Sequence, residues 1–426
     1  MQASRWFVFA LMFASSGVMF GQEEGTSEVP PEQEKKLEWN GNLDVKYTLF
    51  HMHESSPLFQ LQFPVNKPSS SLLTQYRFEP YLNAEYRTSD LGFYLRTHAT
   101  YFSDADASVD IFEAYGNFNP TFSTTLQAGK RVYNWGKGYA FNPVGYVNPV
   151  KDPENPELAQ AGLLSANVEY VKSFSSGALQ NMSLLLVAIP SSGNVSNRFG
   201  ELKQTDLALK TSFLVWDTDI DLMGFYSLQK PKRIGVDIAR NVSENWEVHG
   251  ELSYSANVEK FTIANKSVAS NIGSGATYLF GIRYLHESNV TLIAEYYHNQ
   301  FGLSASEFDS YSRFLASGTQ GNDPIQLQQM AKVNQTYFRG SNLMKDYLYL
   351  KLTKPEPFDW LYLTLSAFTI YNVADKSFLL SAMMNYKPAT NIEFILWPTL
   401  VTGGGNTEYG SKAFRQKVEL WMRVFF

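Results

Sequence analysis

Apolar and polar side chains alternate in segments of about ten residues through most of the chain, from residue 39 to its end. In one such segment, Phe93 and Leu95 alternate with Tyr94 and Arg96. A period of two puts successive side chains on opposite faces of a β-strand, so each segment predicts a strand with one apolar and one polar face. Turn residues separate the segments. The pattern predicts eighteen strands, at residues 39–50, 74–88, 91–103, 108–119, 122–133, 164–175, 180–190, 203–214, 217–228, 232–242, 245–256, 276–287, 289–301, 343–354, 359–372, 376–387, 391–401 and 412–426.

The last of these segments ends the chain on an aromatic pair. Its apolar face is formed by Phe414, Val418, Leu420, Met422, Val424 and Phe426, and its polar face by Arg415, Lys417, Glu419 and Arg423. This ending resembles the terminal strand of bacterial outer-membrane β-barrels, in which a final aromatic residue is read by the barrel assembly machinery. The resemblance implies that Phe426 is an assembly signal and that this machinery is a partner.

The predicted connections differ in length according to the strand that they follow. Those after even-numbered strands are tight, whereas the long gaps all follow odd-numbered strands, at 51–73, 134–163, 191–202, 257–275, 302–342 and 402–411. Transmembrane barrels sort their periplasmic turns and outer loops in this way. The sequence therefore predicts an all-β, antiparallel up-and-down transmembrane barrel at 39–426, integral to the outer membrane of a Gram-negative bacterium. A secreted, soluble β-rich protein is the alternative.

The amino-acid composition further limits the classes of protein to which the chain could belong. Charged residues make up 18% of the chain, below the roughly 25% of ordinary soluble domains. Aromatic residues make up 15%, and the net charge of −6 gives no electrostatic case for binding nucleic acid. After the N-terminus no apolar run approaches the roughly 18 residues of a spanning helix. The chain has no cysteine, which excludes disulfides, thiolate metal sites and a cysteine nucleophile.

The first 38 residues differ from the rest. Arg5, the apolar run at 6–13 and the small residues at 14–17 predict a signal peptide at 1–21. Residues 22–38 are rich in Glu and Pro and predict a disordered acidic leader. A leader this short cannot fold the plug domain that an energised receptor requires.

The polar strand faces suggest where a pore is narrowest. Eighteen strands enclose a lumen wide enough for water unless something fills it. Charges of both signs alternate away from the lipid face, and they either form ordinary cross-strand ladders or select the solute. The candidates for a constriction are Arg77, Arg87, Arg96, Arg131, Glu79 and Glu113.

The predicted loop at 134–163 is dense in Pro, Gly and aromatic residues, so fixed φ angles and stacking shape it. One interpretation is that it folds inward and packs against the barrel wall as a constriction loop. The other is that aromatic side chains here form a surface along which sugars or other ligands slide. The candidates for such contacts are Tyr133, Trp135, Tyr139, Phe141 and Tyr146.

A short motif runs from the fifth strand into this loop, formed by Gly129, Lys130, Arg131, Trp135, Gly136, Asn142 and Pro143. With the strand count and the loop alternation, it resembles porin-like outer-membrane families, including the alginate-export type. The resemblance implies an eighteen-stranded barrel that passes a solute or an anionic polymer. An alginate conduit would have an arginine-lined lumen, whereas this lumen is mixed in charge.

The predicted loop at 302–342 carries its own helices. Asp323 and Pro324 have the pattern of an N-cap followed by a first helical residue, and about ten helix-forming residues follow. A second short helix is predicted at 307–315. A loop of this length favours a lid or partial plug, and the alternative is a surface loop that contacts lipopolysaccharide or a partner.

These features together predict a channel for passive or facilitated passage of small hydrophilic solutes, an oligosaccharide or a polysaccharide. The alternative is a non-conducting scaffold, adhesin or assembly protein. A barrel enzyme is less favoured, because the chain has six His and lacks the G-x-S-x-G, H-E-x-x-H and P-loop motifs. His51 and His53 have a spacing that could seed a metal site but lack further ligands nearby. No catalytic residue, metal or cofactor is predicted.

Overall fold

The structure is a computed structural model that describes residues 36–63, 68–103, 105–190, 205–319, 323–340 and 342–426. The predicted signal peptide, most of the predicted leader and the predicted loop at 191–202 lie outside the described residues.

The described residues form eighteen antiparallel strands in one sheet, and each strand pairs with its neighbours in the chain. The first and last strands also pair with each other, which closes the sheet into a barrel. The strands are β1 (Lys36–Met52), β2 (Leu72–Arg87), β3 (Leu91–Phe102), β4 (Ala105–Thr121), β5 (Thr124–Arg131), β6 (Leu163–Ser173), β7 (Leu179–Ile189), β8 (Asp206–Val215), β9 (Thr218–Tyr226), β10 (Lys232–Ser243), β11 (Trp246–Ala264), β12 (Ser267–Leu285), β13 (Thr291–His298), β14 (Asp346–Pro355), β15 (Leu363–Asn372), β16 (Phe378–Ala389), β17 (Ile392–Thr402) and β18 (Phe414–Phe425).

The two faces of the sheet invert the arrangement of a soluble protein. On β1, Asp44 and Lys46 have 0% and 2% of their surface exposed, whereas the intervening Val45 is 38% exposed. On β2, Tyr76 and Phe78 are exposed in the same way. Charged side chains inside and apolar side chains outside suit a barrel surrounded by hydrocarbon, because a strand period of two separates the faces. The predicted fold class is confirmed.

The closing pair of strands is joined from Asn42 to Met52 of β1, along β18. Leu43 on β1 lies opposite Val424 on β18, and the pairing continues through Val45 and Met422. Beyond β18, the backbone amide of Phe426 donates to the carbonyl of Gly41 at 3.1 Å. A closed ladder of this kind leaves no backbone group unpaired in lipid.

The long connections lie at one end of the barrel, as predicted, because each of them follows an odd-numbered strand. We call this end the long-loop rim and the opposite end the short-turn rim. One predicted loop is wrong: most of 257–275 continues β11 and β12 as a hairpin, with a turn at Asn265 and Lys266, where φ is 49° and 59°. The physical reason is a bulge: the register of β11 and β12 shifts between Ser255 and Val258, which interrupts the alternation, and the ladder then resumes from Val258 opposite Gly273.

A register shift beside the last strand corrects another assignment. The pairing of β1 and β18 slips after His51, so that Met52 lies opposite Phe414. Phe414 therefore packs on the lumen side against Phe50, with ring centroids 5.8 Å apart, although strict alternation places it on the lipid face. A bulge adds one residue to a strand and reverses the faces beyond it.

The described residues contain three α-helices: α1 (Pro57–Gln62), α2 (Ala305–Thr319) and α3 (Pro324–Tyr337). The predicted start of α3 is confirmed, since the side chain of Asp323 accepts from the backbone amide of Ile325 at 3.0 Å. The sequence pattern does not predict α1. None of the helices in this part of the chain is long and apolar enough to cross a membrane.

Apolar side chains fill much of the lumen towards the long-loop rim. One cluster joins Phe308 and Leu315 of α2 and Leu327 of α3 to wall residues such as Tyr349 and Trp397. A second cluster joins the segment after β5 to the wall of β7, β8 and β9. Seen from the long-loop rim, the mainly polar, mixed-charge part of the wall near the short-turn rim therefore lies behind these packed loops.

Candidate functional site

The segment at 132–162, between β5 and β6, lies inside the barrel, and we call it the inner loop. The carboxylate of Glu251, on β11, holds its backbone: it accepts from the amides of Lys137 at 2.7 Å, Gly138 at 2.6 Å and Val144 at 3.2 Å. A side chain at Gly136 would collide with this carboxylate, and φ there is +93°. The glycine lets the backbone approach the wall.

Glu295, on β13, holds the next residues of the inner loop. Its carboxylate accepts from the backbone amides of Tyr139 and Ala140, the latter at 2.9 Å. On the other side of the loop, Lys151 donates to the carbonyl of Gly138 at 2.6 Å. Charge-assisted hydrogen bonds of this kind are stronger than neutral ones, so the inner loop is fixed to one sector of the wall.

A lysine at the start of the loop adds an ionic anchor. Lys137 lies 3.4 Å from Asp221 on β9, which also pairs with Lys210 at 2.7 Å. Burial lowers the pKa of Lys137, but the carboxylates of Asp221 and Asp237 outweigh burial and raise it above the usual value. Lys137 therefore stays charged in contact with the wall.

The predicted ligand-contact residues occupy two kinds of position. Tyr133, Trp135 and Phe141 are buried, with exposed fractions of 2%, 2% and 5%. Tyr139 and Tyr146 keep part of their surface exposed. The buried rings serve packing here: the hydroxyl of Tyr133 lies 2.9 Å from Ser165, and Phe141 stacks on Tyr297 with centroids 4.5 Å apart.

The far end of the inner loop is acidic and lies against the last outer connection. Glu154 is 2.5 Å from Lys412, which precedes β18. Burial raises the pKa of Glu154, but the charges of Lys412 and Lys417 outweigh it and hold that pKa below its usual value. For the neighbouring Asp152, burial and the charge of Glu154 raise the pKa. The inner loop thus joins β11 and β13 to the start of β18.

A second acidic contact lies beside Tyr139. Its hydroxyl donates to Glu157 at 2.6 Å, and the ammonium of Lys351 lies 3.4 Å from the same carboxylate. Lys351 also lies over the Tyr139 ring, 4.7 Å from the centroid. Burial raises the pKa of Tyr139, and the hydrogen bond to Glu157 adds to this effect.

The opposite wall carries a network of paired charges on β18, β1 and β2. Arg423 makes two hydrogen bonds to Asp44, at 2.7 Å and 2.8 Å. Lys46 pairs with Glu79. On β2, the guanidinium of Arg77 lies 3.3 Å from Glu419 of β18 and 3.7 Å from Glu79.

The six predicted constriction residues do not lie at one level. Arg77 and Glu79 belong to the network just described, and Arg96 forms a separate pair with Glu113 at 3.4 Å. Arg87 lies at the short-turn rim beside Glu85 and is 65% exposed, whereas Arg131 ends β5 and lies over the ring of Tyr133 at 5.0 Å.

Four charged residues near the long-loop rim are not identified by the sequence pattern. They are Asp152, Glu154 and Glu157 on the inner loop and Lys412 before β18, which pairs with Glu154; Glu157 pairs with Lys351 of β14. The signal in the sequence was the run K-D-P-E-N-P-E at 151–157, which interleaves acids with prolines. Alternation could not identify them because they lie outside the strands.

The histidines form no cluster. His53 lies 3.0 Å from Arg415, and burial and that positive charge lower the pKa of His53. Among the described residues, no group of three or more His, Asp or Glu side chains is arranged to hold a metal ion.

These features define a class: a closed antiparallel β-barrel with an apolar exterior, a charged interior and a long loop folded into the lumen. No family model matches the chain, and no curated protein matches it. Solved structures do match it. A BenF-like porin from Pseudomonas fluorescens Pf-5 is 10% identical, with a TM-score of 0.52 over 92% of this chain and 98% of that one.

Two further solved structures are similar to the same extent. OccAB1 of Acinetobacter baumannii is 8% identical, with a TM-score of 0.53 over 93% of this chain and 99% of that one. OpdQ of Pseudomonas aeruginosa is 8% identical, with a TM-score of 0.51 over 92% and 98%. At this identity the likeness shows a shared porin-type barrel fold.

Proposed function

We propose that the protein is an integral outer-membrane channel that lets small hydrophilic solutes pass. The observation that carries this proposal is the inner loop, which Glu251 and Glu295 hold inside a closed barrel whose wall bears charge. A loop fixed in this way narrows a lumen without depending on a partner. The matching folds are those of porins, which supports a conducting role over an enzymatic one.

The narrowest part of the pathway, in this proposal, lies beside the ion pairs that join the acidic end of the inner loop to the wall. Glu154 pairs with Lys412 there, and Glu157 pairs with Lys351. Charges that line a constriction orient a solute and set the ion selectivity of the channel. Arg77, Glu79, Arg96 and Glu113 act further along the wall, and Arg87 and Arg131 lie near its two ends.

The experiment is conductance of the purified full-length protein in planar lipid bilayers. Ohmic steps from correctly folded barrels would support a channel, and folded protein without conductance would overturn the proposal.

Glu154→Gln should shift the reversal potential in a salt gradient towards anion selectivity, since it removes a negative charge. Glu287→Gln, exposed in the turn after β12, is the matched control and should leave the potential unchanged.

In this proposal, Tyr139 and Tyr146 are the inner-loop residues that contact the solute, because both keep part of their surface exposed. The other three aromatic candidates, Tyr133, Trp135 and Phe141, then act indirectly by packing the loop. Helices α2 and α3 cover part of the lumen as a lid, supported by their packing into the cluster with the wall.

A second candidate solute is an anionic polysaccharide. It rests on the motif that resembles the alginate-export type, Gly129 to Pro143, and the structural neighbours do not add to it. The paired charges of Arg423, Arg77 and Lys46 count against a strongly basic conduit. We therefore favour small solutes.

The remaining partners follow from the proposed location. The exposed apolar band contacts lipid, the outer loops contact lipopolysaccharide, and Phe426 is read by the barrel assembly machinery. A non-conducting scaffold or adhesin is the alternative role, and the bilayer experiment separates it from a channel.

A further inference from the structure

A cavity of about 640 Å³ lies inside the barrel at the long-loop rim. It is bounded by α1, α3, the ends of β1 and β2 and the start of β18. Its volume lies within the roughly 300–1,000 Å³ of typical small-molecule sites. No residue of the inner loop lines it, although Lys412, the partner of Glu154, does, so it is a separate space above the proposed narrow part of the pathway.

The lining is rich in aromatic rings that other contacts hold in place. Phe50 packs edge-on against Phe414, and Tyr311 packs against Phe338 with centroids 4.4 Å apart. Phe63 packs against Phe59 at 5.2 Å. Rings fixed in this way offer apolar faces at little cost in side-chain entropy, because they are already ordered.

The two charged residues of the lining are already engaged. Lys412 pairs with Glu154 at 2.5 Å. The buried carboxylate of Glu408 accepts from the hydroxyl of Tyr347 at 2.7 Å and from the side-chain amide of Asn372 at 2.7 Å. A charged ligand in the cavity would lose hydration without gaining a free counter-charge, which disfavours it.

The other polar side chains of the lining are neutral: the hydroxyls of Tyr311 and Ser411, and four amides. Gln62 ends α1, and Asn334 and Gln335 lie in the last turns of α3. Amides both donate and accept hydrogen bonds, as hydroxyl groups require. Aromatic faces beside neutral amides fit a molecule with an apolar C–H face and a rim of hydroxyls.

We propose that this cavity is a binding site for a neutral saccharide of one to three rings. This inference rests on the proposed channel function, because the saccharide is the class of solute that the cavity would bind before it passes through the channel. Binding itself does not depend on conduction, so the two can be measured separately. An aromatic and amide-lined site selects neutral sugars over their charged analogues.

The test is saturation-transfer NMR on the full-length protein in lipid nanodiscs, with glucose, maltose and maltotriose as probes. Glucuronate and glucosamine are the charged counterparts of glucose. We expect at least one neutral probe to bind at least tenfold more tightly than either charged one. Equal or tighter binding of a charged probe, or no binding of any neutral probe, overturns the inference.

Two variants test whether the sugar binds in the cavity. Leu73→Trp fills the space from β2 without removing a packed group, and Gln335→Leu removes an amide at constant size. Each should weaken sugar binding at least tenfold. Gln329→Leu, exposed on the same helix outside the lining, is the matched control and should bind as the natural protein does. Unchanged binding in both cavity variants would contradict the assignment.

Conductance distinguishes this inference from the proposed function. Protein that binds sugars but never conducts would refute the channel and leave the site standing. Protein that conducts but binds no neutral sugar would refute the site and leave the channel standing.

Discussion

Two buried glutamates determine where the inner loop lies. Glu251 and Glu295 each have less than 4% of their surface exposed, and between them they accept five backbone amide hydrogens from residues 137–144. Hydrogen bonds to a charged acceptor contribute about 1.5–3 kcal/mol each. Single side chains on the wall can therefore fix a loop of about thirty residues, which alone has no regular structure.

Neutralising either anchor should loosen the inner loop. For Glu251→Gln we expect larger and noisier single-channel conductance, because an amide side chain replaces charge-assisted hydrogen bonds and presents a donor to the loop amides. Recordings in planar bilayers measure the effect. Glu259→Gln, exposed on the same strand, is the control. A Glu251→Gln channel indistinguishable from this control would show that the loop is held by packing alone.

A third buried glutamate predicts a pH effect in the last outer connection. Burial raises the pKa of Glu408 from 4.5 to about 7, against the hydrogen bonds from Tyr347, Leu343 and Asn372, which lower it. The folded connection therefore binds a proton between about pH 4.5 and 7 where the unfolded chain does not, and its stability rises as the pH falls.

The measurement is hydrogen exchange at residues 403–413, corrected for the intrinsic pH dependence of exchange. Protection should be greater at pH 5 than at pH 8 in the natural protein. In Glu408→Gln the dependence should disappear, because the side chain no longer titrates. Protection that rises with pH would reverse the sign and contradict the assignment.

At the scale of elements, the hairpin that extends β11 and β12 over residues 257–275 packs against helices α2 and α3. Lys260, on the extended part of β11, pairs with Glu307 of α2 at 2.7 Å, and Phe261 packs on Tyr337 of α3 with centroids 4.8 Å apart. The longer strands thus support the helices from one side. The wall cluster packs against them from the other side, so the helices are held between the hairpin and the wall.

Replacing residues 304–336 by a short Gly-Ser linker tests the lid. We expect single-channel conductance to increase severalfold, because the segment packs inside the rim with Phe308, Leu315 and Leu327 buried. The shift of the folded barrel on unheated gels controls for assembly. Unchanged conductance in folded protein would mean that the helices lie beside the pathway.

At the scale of the whole molecule, Phe426 takes part in closing the barrel. Phe426 pairs through its backbone with Gly41, and its ring lies 6.1 Å from that of Trp39. A side chain at Gly41 would approach the Phe426 ring to 2.6 Å, so glycine gives the terminal ring its space. The last residue therefore contributes to the seam at the short-turn rim.

Removing Phe426 should reduce assembly and leave conduction unchanged. The expected result is a several-fold lower yield of folded barrel in membranes, with the same conductance from each channel that inserts. Gel mobility and single-channel recording measure the two quantities. Normal insertion with altered conductance would place Phe426 in the pathway instead.

Local patterns in the sequence are enough to predict the barrel. A strand period of two is a local property, so alternation identified all eighteen strands, and turn chemistry with gap length identified the rim of the long loops. It misjudged the hairpin at 257–275 and the face of Phe414, because strand ends and bulges depend on partners across the sheet.

The arrangement of the lumen depends on the tertiary structure. Arg77 meets Glu419, and Glu154 meets Lys412, although the partners of each pair lie far apart in the chain. The path of the inner loop depends on Glu251 and Glu295, which alternation places on the polar face without naming a partner. Local patterns specify faces, whereas contacts across the barrel specify which charges remain paired and where the pathway narrows.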